Sequence, residues 1–421
     1  MNHQISRLKN GITVATVQMP HMASVSLGIW VAVGGRYEPK ELNGVSHFIE
    51  HMLFKGTRRR SAKEISQSVE GIGGYLNAFT GEESTCFYSK ARHDRYEQLL
   101  DVLMDMFLNS KFDPVEIAKE RGVIKEELAM YMDQPHQLVQ ELLNETLWPN
   151  HPLGRALTGT EKTIDAMDRA KLLSYQRANY VAPGTLVTAA GNLSHDKILR
   201  SVARFAPKFC AGKRPHFEPV LDQQSAPRLR AFTKDTAQLQ LALGIRTCSR
   251  HDERRFALRI LNTLLGENMS SRLFQVIRED HGLAYSIHSC LVFFDDVGSL
   301  IISAGMDTHQ LPRVMKLITH ELKRLTQKPP SAKEMRQTRD FLIGQIDLSL
   351  ESTENQMMWL GDQLLGYGKI IAPTEIKKRL TQVQPTEVRR IAQAFFQPAR
   401  FSLALVSPLK SSRPLRQLIK L

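Results

Sequence analysis

Apolar residues along this chain cluster in short dense runs, separated by longer stretches of helical period. The segment MNHQISRLKNGITVATVQMP reads as a strand, a turn at Lys9-Asn10-Gly11 and a second strand. SVSLGIWVAVGGRYEP, from Ser24 to Pro39, opens as a further strand, and GIGGYLNAFTGEESTCFYSKA is a glycine turn followed by strand residues. Two helical segments come next, RYEQLLDVLMDMFLN and DPVEIAKERGVIKEELAMYM, the second with Asp113 as N-cap and Pro114 in the first turn.

The second half of the chain repeats this order. AQLQLALGIRTCSRHDERR is again a strand leading toward a helix, ALRILNTLLGENMSSRLFQVIRE is helical, and GLAYSIHSCLVFFDDVGSLIISAGM is a hairpin. LPRVMKLITHELKRL and SAKEMRQTRDFLIGQIDLSLE are helices, and the latter aligns with DPVEIAKERGVIKEELAMYM. Matching Glu116 to Glu334 gives a period of 334 − 116 = 218 residues, which points to an internal duplication. Each half predicts an α+β sandwich with an antiparallel-rich sheet, since several strands are joined by tight turns. The expected division is residues 1–212, a linker at 213–230 rich in Pro, Gln and charge, and a homologous domain at 231–421.

Composition narrows the function classes. No apolar run approaches the ~20 residues that span a bilayer, and the N-terminal segment lacks the apolar core of a secretory signal. Cys86, Cys210, Cys248 and Cys290 form no Cys-x-x-Cys pair, which suits free thiols in a reducing, cytoplasmic setting. Cys86 and Cys290 fall in strand-like runs and are expected as buried small hydrophobes. The formal charge of +13 is spread out, and its densest run, KGTRRRSAKE, has no nucleic-acid motif beside it. A solvated basic surface is therefore expected, with neither nucleic acid nor membrane as partner.

The stretch GVSHFIEHMLFKGT carries the chemistry. Residues at i and i+4 share a helix face, so His47 and His51 can address one ion. A catalytic zinc takes three protein ligands and leaves a position for water, and Glu50 projects near that face as a candidate base. ERGVIKEEL offers Glu120, Glu126 and Glu127 as candidates for the third ligand.

The His-x-x-Glu-His order is that of inverted zinc peptidases, and the wider chain resembles the pitrilysin/insulinase family. The likeness is to its short branch, with mitochondrial processing peptidase and bacterial relatives, and runs through GVSHFIEHMLFKGT, GGYLNAFTGEESTCFYS, ERGVIKEELAMYMDQP and MSSRLFQVIREDHGLAYSIHS. The resemblance implies Glu127 as third zinc ligand, since 127 − 51 = 76 matches the family's interval. It implies Glu120 as an acidic residue orienting a ligand histidine, with Glu126 on the surface. It also implies Arg278 and Tyr285 as groups that steady a developing oxyanion, and Asn77 with the backbone at Ala78 as a peptide-holding edge. Under the 218-residue offset Glu127 falls on Gln345 and Glu120 on Thr338, and LNTLLGEN has no histidine, so only the first copy keeps metal-binding chemistry.

The expected function is a metalloendopeptidase with one Zn2+ per chain and Glu50 as general base, acting on peptides or flexible protein segments. With two such domains per chain, the resemblance implies a chamber built by pairing, as a homodimer or with a related subunit. The alternative is a non-catalytic assembly subunit of the same family, which intact His47, Glu50, His51 and Glu127 oppose.

Overall fold

The computed structural model describes residues 3–221 and 224–409. Within them the chain forms two compact units that do not follow chain order. The first comprises the chain up to Ala129, Arg155–Glu218 and Asp347–Ile370, and the second Met130–Gly154, Pro219–Ile346 and the chain from Ile371 on.

The first unit is built on six strands: β1 (His3–Arg7), β2 (Thr13–Gln18), β3 (Ser24–Val31), β4 (Tyr75–Thr80), β5 (Thr85–Arg92) and β6 (Thr185–Gly191). They lie in the order β1-β2-β6-β3-β5-β4, and every neighbouring pair is antiparallel except β2 with β6. Central strand β3 is buried along nearly its whole length because both faces of the sheet are covered. Val25, Leu27, Ile29 and Val31 face one way, into a core with the helices Val45–Leu53 and Tyr96–Asn109. Trp30 faces the other, against Met357 and Leu360 of the helix Thr353–Tyr367. A strand enclosed on both sides reads as a near-continuous apolar run rather than an alternating one.

The second unit repeats this plan. Its strands are β7 (Arg228–Thr233), β8 (Leu239–Thr247), β9 (Ser286–Phe293), β10 (Gly298–Met306) and β11 (Phe401–Ser407). Their order, β7-β11-β8-β10-β9 with only β7 and β11 parallel, is that of β2-β6-β3-β5-β4. One face packs on the helices Arg255–Asn262, Leu311–Gln327 and Pro385–Phe395. The other is closed by the helix Pro135–Leu147, through Leu138, Val139, Leu143 and Leu147.

The two closing helices start 353 − 135 = 218 residues apart, so they are equivalents in the repeat. Each covers the sheet built by the other half of the chain. Close approach is made possible by glycine. A Cβ on Gly28 would lie 2.5 Å from Met357 Sδ, and one on Gly244 2.8 Å from Leu147 Cδ1. At the far end of the first contact Thr353, fully buried, meets the hydroxyls of Ser26 at 3.0 Å and Ser24 at 3.2 Å.

Three expectations change. The expected 212/231 division lies near a unit boundary, but the reciprocal helices make each unit discontinuous in sequence, which a repeat read linearly does not reveal. Strand β7 begins at Arg228, inside the expected linker. Cys86 is buried, but Cys290 is exposed, because it sits on edge strand β9, bonded to a neighbour on one side only.

A methyl added at Gly361 would lie 2.1 Å from Trp30 Cε2. Gly361→Ala is therefore expected to destabilise by about 1–3 kcal/mol, as core overpacking does. Gly344→Ala, whose methyl meets nothing within 4 Å, should be neutral or stabilising by up to about 1 kcal/mol. Urea denaturation followed by circular dichroism compares the two.

Candidate metal centre

The histidine helix Val45–Leu53 starts at Gly44, whose φ of 91° lies in the left-handed region and where a Cβ would meet Thr158 O at 2.7 Å. Glycine is dictated there. Gly44 offers no side-chain cap, so the amides of the first turn need another acceptor. Glu38 supplies it: its carboxylate accepts from Gly44 N at 2.7 Å, Ser46 N at 2.8 Å and Asn43 Nδ2 at 3.2 Å. Burial raises the Glu38 pKa, and those backbone amides pull it back. A carboxylate at the positive end of a helix also gains from the helix dipole.

Along this helix His47, Ile49, Phe48 and Met52 separate into two faces. Phe48, Ile49 and Met52 go into the core, and His47 and His51 stay partly buried on the other side. Their Nε2 atoms stand 3.3 Å apart. Glu127, on the helix Pro114–Asp133, brings Oε2 to 3.5 Å from His47 Nε2 and 3.7 Å from His51 Nε2. That helix begins as its sequence implies, with Asp113 Oδ1 accepting from Val115 N at 2.9 Å. Seven residues before Glu127, buried Glu120 places Oε2 3.0 Å from His51 Nδ1. Glu126 is exposed.

These three atoms test whether an ion fits. Ligand atoms ~2.0–2.1 Å from one ion in tetrahedral arrangement are about 3.4 Å from each other, close to the three separations above. With Nδ1–H of His51 donating to Glu120, its Nε2 carries a lone pair toward Glu127 Oε2, itself an acceptor. Glu127 Oε2 is buried and has no hydrogen-bond partner among the described residues. Acceptors packed against one another need a cation to hold them, so the residues fit a metal. Burial, then the neighbouring His51, lowers the His47 pKa to about 4, which keeps its imidazole neutral and its lone pair available. His47, His51 and Glu127 are the one such donor group among the described residues.

Glu50 faces the same space from the side of β4. Its Oε2 accepts a hydrogen bond from Thr80 Oγ1 at 2.6 Å. Burial raises the Glu50 pKa, while the Thr80 hydroxyl lowers it. Sequence reasoning missed Thr80 and Glu38. The inward alternation of Leu76, Ala78 and Thr80 in YLNAFT was the available signal for the first; nothing local marked the second.

Strand β4 is an edge, bonded only to β5, with Tyr75, Asn77 and Phe79 on its more exposed face. Asn77 Oδ1 accepts from the Ala78 amide at 2.8 Å, so that amide is already occupied by its neighbour's side chain. Arg278 and Tyr285 belong to the second unit. The Arg278 guanidinium lies 4.9 Å from the centre of the Phe274 ring, and Tyr285 is 75% exposed. His281 and His288 are exposed. No helix among the described residues is long and apolar enough to cross a membrane.

Comparison with known proteins gives the same picture a family. Residues 13–161 match the family described as Insulinase (Peptidase family M16), and residues 166–342 match the Peptidase M16 inactive domain. The uncharacterized zinc protease YmxG of Bacillus subtilis is 38% identical over 402 residues, covering 95% of this chain and 97% of that one. The chain belongs to peptidase family M16. The uncharacterized zinc protease SCO5738 of Streptomyces coelicolor is 35% identical, over 97% of this chain and 90% of its own. A protease from Helicobacter pylori of known structure shares the fold, with a TM-score of 0.91 at 20% identity over 97% of this chain and 99% of that chain. The match of the second half to an inactive M16 domain agrees with the absence of histidine from LNTLLGEN.

Glu38→Ala would strand two amides at the start of the histidine helix. The expected loss is about 2–4 kcal/mol, that of charge-assisted hydrogen bonds whose donors stay buried. Thermal unfolding of the metal-free protein measures it.

Proposed function

We propose that this M16 peptidase is a zinc-dependent endopeptidase acting on extended peptide segments. The observation that carries the reading is the convergence of His47 Nε2, His51 Nε2 and Glu127 Oε2 within 4.8 Å of one another, with Glu50 beside them. His47, His51 and Glu127 would hold one zinc ion per chain. When bound, zinc supplies Lewis-acid chemistry, making a water acidic enough to attack a peptide carbonyl near neutral pH.

The remaining work falls to side chains. Glu50 takes a proton from the attacking water and hands it to the departing amine. Burial raises its pKa, which makes the carboxylate readier to hold the proton between the two transfers. Thr80 fixes which carboxylate oxygen is engaged, leaving Oε1 for the proton. Glu120 holds the His51 ring so that Nε2 faces inward. Arg278 and Tyr285 serve as donors to the carbonyl oxygen as charge develops.

Edge strand β4 is the natural seat for substrate. An extended peptide added there would pair through its backbone, which selects shape over sequence. Asn77 and Ala78 take part, with the Asn77 side chain releasing the Ala78 amide. Thr80 ends this same strand, so the seat and the base are joined by one residue. Pairing of two chains, as a homodimer or with a related subunit, would enclose the substrate, and the free thiols of Cys86, Cys210, Cys248 and Cys290 suit a reducing, cytoplasmic setting.

Internally quenched peptides blocked at both ends should be cleaved, cleavage should stop with a chelator, and zinc should restore it. Blocked peptides left intact by zinc-loaded protein would refute the reading. Glu50→Gln should retain zinc and lose about 10²–10⁴ in kcat, the usual worth of a general base. Thr80→Val should retain zinc and lose roughly 10–100-fold in kcat, the equivalent of one hydrogen bond to a charged group. Metal analysis alongside turnover separates these effects from loss of the ion.

A further inference from the structure

Lys55 follows the histidine helix, its amide bonded to Met52 O at 3.1 Å. It lies two residues beyond Leu53, the last residue of that helix. Its Nζ lies 2.7 Å from Glu120 Oε1, with the Lys55 side chain 31% exposed and that of Glu120 only 5%. The other oxygen of the same carboxylate meets His51 Nδ1 at 3.0 Å. One buried carboxylate is thus shared between a ligand-candidate imidazole and a lysine.

We infer that Lys55 is a positioning residue of the metal centre, acting through Glu120; the inference rests on the zinc reading above. A carboxylate free to rotate could offer His51 either oxygen, or neither. Pinned by Lys55 through Oε1, Glu120 must present Oε2 to Nδ1, and that fixes the plane of the His51 ring and the direction of Nε2. A carboxylate buried this deeply also needs a countercharge to stay in place, and among the described residues Lys55 is a cation in contact with it.

The contact has a second consequence. Lys55 ends the segment that carries both histidines, and Glu120 shares a helix with Glu127, two turns away on the same face. The pair therefore ties the two ligand-bearing segments together and sets how far Glu127 stands from the imidazoles. The four other cations of the basic run lie elsewhere: Arg59 and Arg60 pair with Asp101 and Asp105, while Arg58 and Lys63 are exposed. Within KGTRRRSAKE, Lys55 alone reaches the centre.

The test is zinc affinity of the full chain, by competition with a chromophoric chelator, for the wild type, Lys55→Met, Lys55→Arg, Glu120→Gln and the Lys55→Met/Glu120→Gln double variant. The expected result is a 10–100-fold weaker zinc affinity for Lys55→Met, as for other partners of metal ligands. Lys55→Arg should recover most of it, and the double variant should be no weaker than Glu120→Gln alone. Melting temperatures of the metal-free proteins separate positioning from general stability. Zinc affinity within twofold of wild type in Lys55→Met overturns the inference, whatever its melting temperature, as does full additivity in the double variant. A wild type that binds no zinc would instead overturn the metal reading on which this one stands.

Discussion

The structure turns on two imidazole nitrogens and a carboxylate oxygen held at 3.3, 3.5 and 3.7 Å from one another. Side chains bearing lone pairs do not collect in this way unaided. Each is largely withdrawn from water, and with the His51 proton on Nδ1 facing Glu120, its Nε2 has none to give Glu127. Folding energy from elsewhere must hold them, and much of the architecture of the first unit can be read as the means. Glu38 anchors the start of the histidine helix and Phe48, Ile49 and Met52 bury its back. Gly44 lets the chain turn into it against Thr158. The helix Pro114–Asp133 is fastened in turn by Ile117 and Ile124 in the same core, leaving Glu120 and Glu127 facing the histidines.

Precision at the centre also depends on the sheet behind it. β4 contributes Thr80 to Glu50, and β4 is placed by β5, which is placed by β3. Apolar groups cover both faces of β3, so displacement of the closing helix Thr353–Tyr367 would expose Trp30 and the small residues around it. This helix comes from the half of the chain that carries no metal ligands. The second copy is thereby committed to the chemistry of the first by packing alone.

The sequence made some of this legible and concealed the rest, for physical reasons. The pairing of His47 with His51 could be read because helix geometry relates residues four apart. The duplication was visible as element order, and its period recurs in the start positions of the two closing helices. Residue spacing left Glu120, Glu126 and Glu127 equally open as third ligand; family resemblance singled out Glu127, and the geometry sets it beside the imidazoles. The exchange of closing helices, Pro135–Leu147 and Thr353–Tyr367, stayed hidden because an apolar helix face does not say which sheet it covers. Glu38, Thr80 and Lys55 were hidden for a similar reason. Each acts through one tertiary contact, and a lone polar residue outside a motif carries no periodic signal.

The second copy shows what such a centre costs. The 218-residue offset takes His47 to Leu265, His51 to Met269, Glu127 to Gln345 and Glu120 to Thr338. Leu265 is fully buried in the core of its unit, and the backbone around it, Thr263–Glu267, winds as a π-helix. Strand order survived unchanged between the copies while every group suited to hold an ion was replaced. Buried charged clusters are often less stable than apolar residues of similar size, so a copy released from chemistry gains by giving them up. The first copy kept its cluster against that gradient. Under the proposed function, a half-buried set of acceptors beside a hydrogen-bonded glutamate is what the chemistry would require the first copy to keep.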